Sequence, residues 1–199
     1  MKKFRMIMLA AFAAVSMSVS AQEAFQTFYL QYNPSWQKYS HNSYTLSTSY
    51  NELSLGYSYA MPVASFPLYV EFGGAVQWAF KSEDNDGYDT TSNLIAAKIP
   101  VNALYGIQVS DAITILPYAG PYFRFNILGK NKVKHGGQSE TTDWFSDGDA
   151  KRFQIGLNAG CRVNIKDTFF AGVGYYYDLM KIQEHTHFEG IDITIGLLF

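Results

Sequence analysis

Side chains alternate between apolar and polar with period two along most of this chain, and the charges fall on one side of that alternation. In 52–61 one face reads Leu53, Leu55, Tyr57, Tyr59, Met61, and the other Glu52, Ser54, Gly56, Ser58, Ala60. In 68–81 one face carries Leu68, Val70, Phe72, Val76, Trp78 and Phe80, and the other Glu71, Gly73, Ala75, Gln77 and Lys81. The pattern returns in 95–109, 115–127, 151–165, 169–179 and 190–199, and a shorter first strand fits 27–33. This predicts eight β-strands, and nothing reads as an amphipathic helix.

Volume decides which face points inward. The charged positions of the polar face are Glu52, Glu71, Lys98, Arg124, Arg152, Arg162, Asp178 and Asp192, while the opposite face of the seven later strands carries no charge. A soluble barrel with a ligand cavity would turn its apolar side inward and show a Lys-rich exterior. Here the polar side is the small one, full of Gly, Ala and Ser. The bulky side chains of the other face would overfill an eight-stranded interior. Turned outward into lipid they fit, and the small polar face suits a narrow lumen. The fold class that follows is an all-β, eight-stranded, antiparallel up-and-down transmembrane β-barrel. Closure satisfies every backbone hydrogen bond without water, as a bilayer requires. Strands of about 9–11 residues suffice to cross when tilted, so the longer ones here should project beyond the membrane.

The connections alternate long and short: 34–49, 62–67, 82–93, 110–112, 129–150, 166–168 and 182–189. Short periplasmic turns and long extracellular loops give this order, with both termini on the periplasmic side. Aromatic residues gather near the strand ends, with Trp78, Phe80, Phe123, Phe125, Phe153, Tyr175 and Tyr177 toward the outside. Tyr57, Tyr59, Phe169 and Phe199 gather toward the periplasm. Such rings form girdles at headgroup level.

The first residues read differently. Lys2, Lys3 and Arg5 precede an apolar run of about ten residues, shorter than the roughly 20 a membrane helix needs. The small-residue stretch Val19-Ser20-Ala21 follows. This is the layout of a secretory signal peptide over 1–21, leaving 22–199 as the barrel domain. The remaining chain has twelve Lys plus Arg against seventeen Asp plus Glu, a formal charge of −5. That mildly acidic balance argues against a nucleic-acid partner. With Cys161 alone, no intrachain disulfide forms, and Gln22 in place of a cysteine removes the lipoprotein option.

The chain ends Ile191, Ile193, Ile195, Leu197, Phe199 at alternate positions. A terminal Phe after outward apolar residues resembles the carboxy-terminal assembly signal of outer-membrane barrels, with Ile195, Leu197 and Phe199 as its core. The resemblance implies recognition by the barrel-assembly machinery, physically by β-augmentation. Lys98-Ile99-Pro100-Val101, Pro117-Tyr118-Ala119-Gly120-Pro121-Tyr122 and RFQIGLNAG over 152–160 resemble the small outer-membrane β-barrel domain (porin-like) family of Gram-negative bacteria. That resemblance implies the outer membrane and contact with lipid and lipopolysaccharide. It brings little function, since a fold does not fix one.

Candidate chemistry is sparse. Four acidic and four basic interior residues suggest a charge network that plugs the barrel, or lines a narrow ion path, because unpaired charges in so small a space are costly. Glu83–Asp89 is calcium-like in composition but lacks the closing Glu of an EF-hand. His185 and His187, with His135 or Glu184, fall short of a convergent metal set. His41-Asn42-Ser43 evokes Ser–His lipid A-modifying barrels, yet adjacent residues on an extended chain point opposite ways. The sequence thus points to no catalytic residue, metal or cofactor. The long loop with Lys130, Lys132 and Lys134, then Trp144 and Phe145, either meets an extracellular protein or caps the mouth. The leading expectation is a non-enzymatic surface barrel with a plugged lumen and loops for structural, binding or adhesive roles. A small pore or transport-associated barrel comes second, and a lipid A-modifying enzyme third.

Overall fold

A computed structural model describes residues 23–41, 44–63, 67–85, 88–146 and 150–199. The expected signal peptide, 1–21, lies outside the described residues. Ten strands form: β1 (Phe25–His41), β2 (Tyr44–Pro62), β3 (Leu68–Asn85), β4 (Tyr88–Tyr105), β5 (Ile107–Ser110), β6 (Ile113–His135), β7 (Gln138–Asp143), β8 (Phe153–Ile165), β9 (Phe169–Asp178) and β10 (Thr186–Leu198). β4 and β5 are one staircase broken at Gly106, and β7 pairs only with β6, so the closed ring has eight strands. Every ring strand pairs antiparallel with its neighbour in sequence, and β1 pairs with β10 to close it. Phe199 seals the seam: its N–H donates to the Gln26 carbonyl at 3.1 Å, and the Gln26 N–H donates back at 2.8 Å.

The faces divide as the alternation requires. Leu53, Leu55, Tyr57, Val76, Trp78, Ile99, Phe125, Ile193 and Ile195 are exposed on the outside. Glu52, Ser54, Ser58, Glu71, Gln77, Asn102 and Asp192 are buried inside. Inside, large rings lie across the directly opposed glycines of the next strand: Tyr29 over Gly56, Tyr122 over Gly156, Tyr176 over Gly190 and Phe170 over Gly196. A Cβ on Gly190 would approach the Tyr176 ring to 2.7 Å, so these positions need glycine for space. This alternation of large and small fills the narrow interior.

Most of the expected loops are strand. Of segment 34–49, residues 34–41 belong to β1 and 44–49 to β2, in register from Pro34↔Asn51 to His41↔Tyr44. Segment 82–93 continues β3 and β4 to Asn85↔Tyr88, and 129–150 contains the β6–β7 hairpin. The hairpin turns on Gly136 and Gly137, both at positive φ (56° and 79°), the left-handed region where glycine costs least. Above the apolar band both faces of a strand meet water, so the amphipathic alternation that marks strands in sequence disappears there. A register shift at Ile95/Ala96 inserts Ile127 as a bulge in β6 and reverses its facing beyond that point.

Candidate functional site

Among the described residues, buried polar chemistry concentrates in the lumen, where it lies in layers. Midway toward the short-turn end, Arg162 of β8 meets Glu71 of β3 in a bidentate pair, Nη1–Oε1 2.6 Å and Nη2–Oε2 2.7 Å. The Ser58 hydroxyl donates to the same carboxylate at 2.6 Å and the Asn102 amide at 3.1 Å. The Arg162 guanidinium lies 5.1 Å from the Tyr118 ring and 5.3 Å from Phe170, closing the layer with cation–π contacts.

Nearer the long-loop end, Arg124 pairs with Asp178 and donates twice to the side-chain Oε1 of Gln154, at 2.9 and 2.6 Å. Gln154 donates to Asp178 at 3.1 Å, Asn126 donates to Gln154 at 3.0 Å, and the Tyr122 hydroxyl also donates to Asp178. The charged groups here are met by several donors and acceptors, which is the condition for burying charge in a low-dielectric space, while the buried Asn126 Oδ1 has no partner among the described residues.

Between these layers the pairing is looser. Glu52 accepts from the Tyr176 hydroxyl and the Gln77 amide, each at 2.9 Å, and Asp192 accepts from the Asn33 amide. Lys98 sits 4.6 Å from the Tyr122 ring and 4.7 Å from the Tyr176 ring, with no ion pair among the described residues. Beside Lys98, Arg162 and Asp192 lies a cavity of about 30 Å³, enough for a water molecule, and the unpartnered Asn158 Oδ1 lies in the same wall.

Aromatic packing gathers at the long-loop end of the lumen. Trp144 and Phe145, after β7, pack against the buried cluster that includes Tyr50, Ile182 and Phe188, with Trp144 edge-on to Tyr50 at 6.5 Å. The backbone N–H of Trp144 donates to the Gly129 carbonyl at 3.0 Å, and that of Phe145 to Asp143 Oδ1 at 2.8 Å, so the backbone holds these rings in place, while the buried Trp144 indole N–H has no partner among the described residues. At the other end an open recess of about 380 Å³ is lined by Phe25, Tyr69, Leu116, Leu198 and an acidic rim of Glu23 and Asp167.

Seven of the eight sequence-selected charges are therefore inside: Glu52, Glu71, Lys98, Arg124, Arg162, Asp178 and Asp192. Arg152 is the correction. It is exposed and precedes β8, which starts at Phe153. Its guanidinium donates to the Asn126 and Ile127 carbonyls at 3.2 and 2.8 Å and lies 4.5 Å from the Phe145 ring. At the frayed strand end the period-two rule no longer fixes its direction, and the bulge carbonyls and cap ring claim it instead. The expected four-to-four pairing becomes two ion pairs and three charges met by neutral partners. The cap itself carried only a weak sequence signal, an aromatic pair inside a charged loop.

The other candidates do not converge. His187 Nε2 is 3.8 Å from Glu189, His185 Nε2 is 3.6 Å from Glu184, and His135 stacks on Tyr88 at 3.8 Å. No cluster of three or more metal-capable side chains occurs among the described residues. Asp84 and Asp89 face each other across the β3–β4 hairpin, while Asp86 and Gly87 lie outside the described residues. Asn42, Ser43 and the His41 side chain lie outside them too. Ile195, Leu197 and Phe199 are exposed on the outer face of the seam.

Residues 7–199 match the outer membrane protein β-barrel domain family. The chain belongs to that family. Membership makes this outer-membrane β-barrel domain an integral outer-membrane protein, with the uncharged outer face against lipid. Among solved structures it is similar to Ail, the attachment invasion locus protein of Yersinia pestis (TM-score 0.54, 16% identity), covering 89% of this chain and all of that one. Ail in complex with the heparin analogue sucrose octasulfate matches equally (TM-score 0.54, 15% identity, 89% and 100% covered). Neisserial surface protein A is a weaker match (TM-score 0.45, 16% identity, covering 89% of this chain and 98% of that one). No curated protein matches the chain in sequence.

Proposed function

We propose that this chain is a sealed, non-enzymatic outer-membrane barrel that presents its projecting hairpins outside the cell for attachment or structural roles. The observation that carries the reading is the filled lumen: two ion-pair layers and an aromatic cap leave room for about one water between them. The hairpins β1–β2, β3–β4 and β6–β7 extend the long-loop end far past the apolar band, which suits contact with an extracellular protein or glycan. Ail is an attachment protein and was crystallised with a heparin analogue. What it shares with this chain is the fold, so adhesion here is a reading of the hairpins.

In this reading the long-loop end faces outward, both termini face the periplasm, and the outer-leaflet neighbours are lipid and lipopolysaccharide. The exposed Ile195, Leu197 and Phe199 edge serves the barrel-assembly machinery during insertion. An epitope placed between Asn85 and Tyr88 should stain on intact cells, whereas one at the 166–168 turn should stain only after permeabilisation. Liposomes carrying the refolded barrel should hold a potassium gradient as well as empty ones do. Reversed staining, or rapid loss of the gradient, contradicts the proposal. A small pore is the second reading, favoured by the polar mid-lumen around Lys98. The gradient assay separates the two.

A further inference from the structure

Past the lumen the wall divides into two arms. Pairing of β2 with β3 ends at Asn51↔Phe80, so beyond it β1–β2 forms one arm and β3–β4–β6–β7 the other. Unbroken register sets which way their side chains face. On the first arm, Asn33, Ser35, Tyr50 and Glu52 are buried in the lumen, and pairing continues through Tyr39↔Leu46 to His41↔Tyr44. Tyr39, Tyr44 and Leu46 therefore look toward the barrel axis. On the second arm, Ser92 and Leu94 are buried, and Ser92↔Asn131, Thr90↔Val133 and Tyr88↔His135 carry the same face upward. Glu140 of β7 stands opposite Val133 on that face. The outward positions of 38–40, 44–49, 88–93 and 130–143 hold no bulky apolar side chain. The few apolar residues of the arms thus stand on the face opposite to the apolar face of the barrel.

Tyr44 and Leu46 are 61% and 51% exposed, as open as the lipid-facing Ile195 and Ile99 at 58% and 52%. Tyr39, Tyr88 and Val133 are exposed as well. Lipid covers the outer wall, but it does not reach a side turned to the barrel axis. Bare apolar residues confined to that side mark a surface that another molecule covers. Charge is sorted between the same two faces. Lys130, Lys132 and Lys134 stand outward, without ion pairs among the described residues. On the inner faces Lys81 is held by Glu83 at 2.7 Å, while Glu140 has no ion pair among the described residues. A cationic partner complements this side, and a sulfated or phosphorylated one is repelled by it. Leu46 and Val133 offer no flat ring for a sugar to stack on, and they suit the apolar side chains of a polypeptide.

We infer that the inner faces of the two arms bind an extended polypeptide segment carrying both apolar and basic side chains. The apolar ones cover Tyr39, Tyr44, Leu46, Tyr88 and Val133, and a lysine or arginine meets the Glu140 carboxylate. The inference rests on the attachment reading of the hairpins given above and names the face and the partner.

The test uses the full barrel in phosphatidylcholine nanodiscs, open to solvent at both ends, with empty nanodiscs as the blank. Fluorescence anisotropy follows three labelled nonapeptides, repeating lysine-valine-glutamine, glutamate-valine-glutamine or lysine-serine-glutamine. The lysine-valine peptide should bind saturably and best. Tyr44→Ser/Leu46→Ser/Val133→Ser should weaken it roughly tenfold or more, as loss of clustered contacts does. Glu140→Gln should weaken it about two- to fivefold, as for an exposed ion pair. Lys130→Gln/Lys132→Gln/Lys134→Gln, which changes only the outward face, should bind as wild type does. Circular dichroism checks that each variant is folded.

No saturable binding of the lysine-valine peptide, or equal binding by the inner-face variant, overturns the site. Equal affinity for the glutamate peptide overturns the charge match, and equal affinity for the serine peptide overturns the apolar contact. Tighter inner-face-dependent binding of a labelled neutral oligosaccharide would make the partner a glycan. Barrel self-association lost in the inner-face variant would make it a second copy. Either result overturns the choice of a polypeptide. Nanodiscs leave both ends accessible, so a failure of orientation appears in the epitope staining and a failure of the inner faces appears here.

Discussion

At the scale of single residues, the lumen tests how charge is tolerated in a space with little room for solvent. Glu71 and Arg162 satisfy each other with two short bonds, and Ser58 and Asn102 complete the carboxylate. Removing one partner leaves the other buried and unpaired. Arg162→Met or Glu71→Gln should therefore cost about 3–5 kcal/mol in denaturant unfolding of the refolded barrel. The double replacement Glu71→Leu/Arg162→Met should cost clearly less than the sum of the two. Additive losses would mean the pair acts as two separate sites. Packing gives a second contrast. A Cβ at Gly156 would collide with the Tyr122 ring, while one at Gly74, on the lipid side, meets nothing within 4 Å. Gly156→Ala should destabilise by about 1–3 kcal/mol and disturb the Arg124–Asp178 layer that Tyr122 supports. Gly74→Ala should be neutral in the same unfolding assay.

At the scale of elements, two kinds of strand segment behave differently. Within the apolar band, lipid on one side and a crowded lumen on the other impose alternation, so the eight ring strands are readable from sequence. Glu52, Glu71, Lys98, Arg124, Arg162, Asp178 and Asp192 could be placed inside on that ground alone. Past the band the constraint is lost. Lys38 to His41, Tyr44 to Ser49 and the β6–β7 hairpin read as loop but are paired strand. Arg152 failed for the same reason, being one residue outside its strand. The lumen rings of Tyr29, Tyr118, Tyr122 and Tyr176 are hidden differently, because a Tyr on the polar face looks like a Tyr on the lipid face until its opposing glycine is known. Since the projecting β6–β7 hairpin buries little, replacing 131–142 by a two-residue Gly-Gly turn should leave the unfolding free energy within about 1 kcal/mol of wild type. Failure of that variant to refold would show that the hairpin is part of the barrel's stability.

At the scale of the whole molecule, an apolar wall, a seam closed by Phe199 and a lumen filled from both sequence halves describe a barrel built to be solid. Family membership fixes its place in the outer membrane. Under the proposal of a sealed interior, function passes to the projecting hairpins. Single-channel current from the purified, refolded barrel in a planar bilayer tests that claim most directly. A sealed lumen predicts silence from wild type across the voltage range in which a porin conducts. Discrete, reproducible conductance steps that change when Arg124 or Glu71 is neutralised would contradict it and make the lumen, rather than the hairpins, the working part.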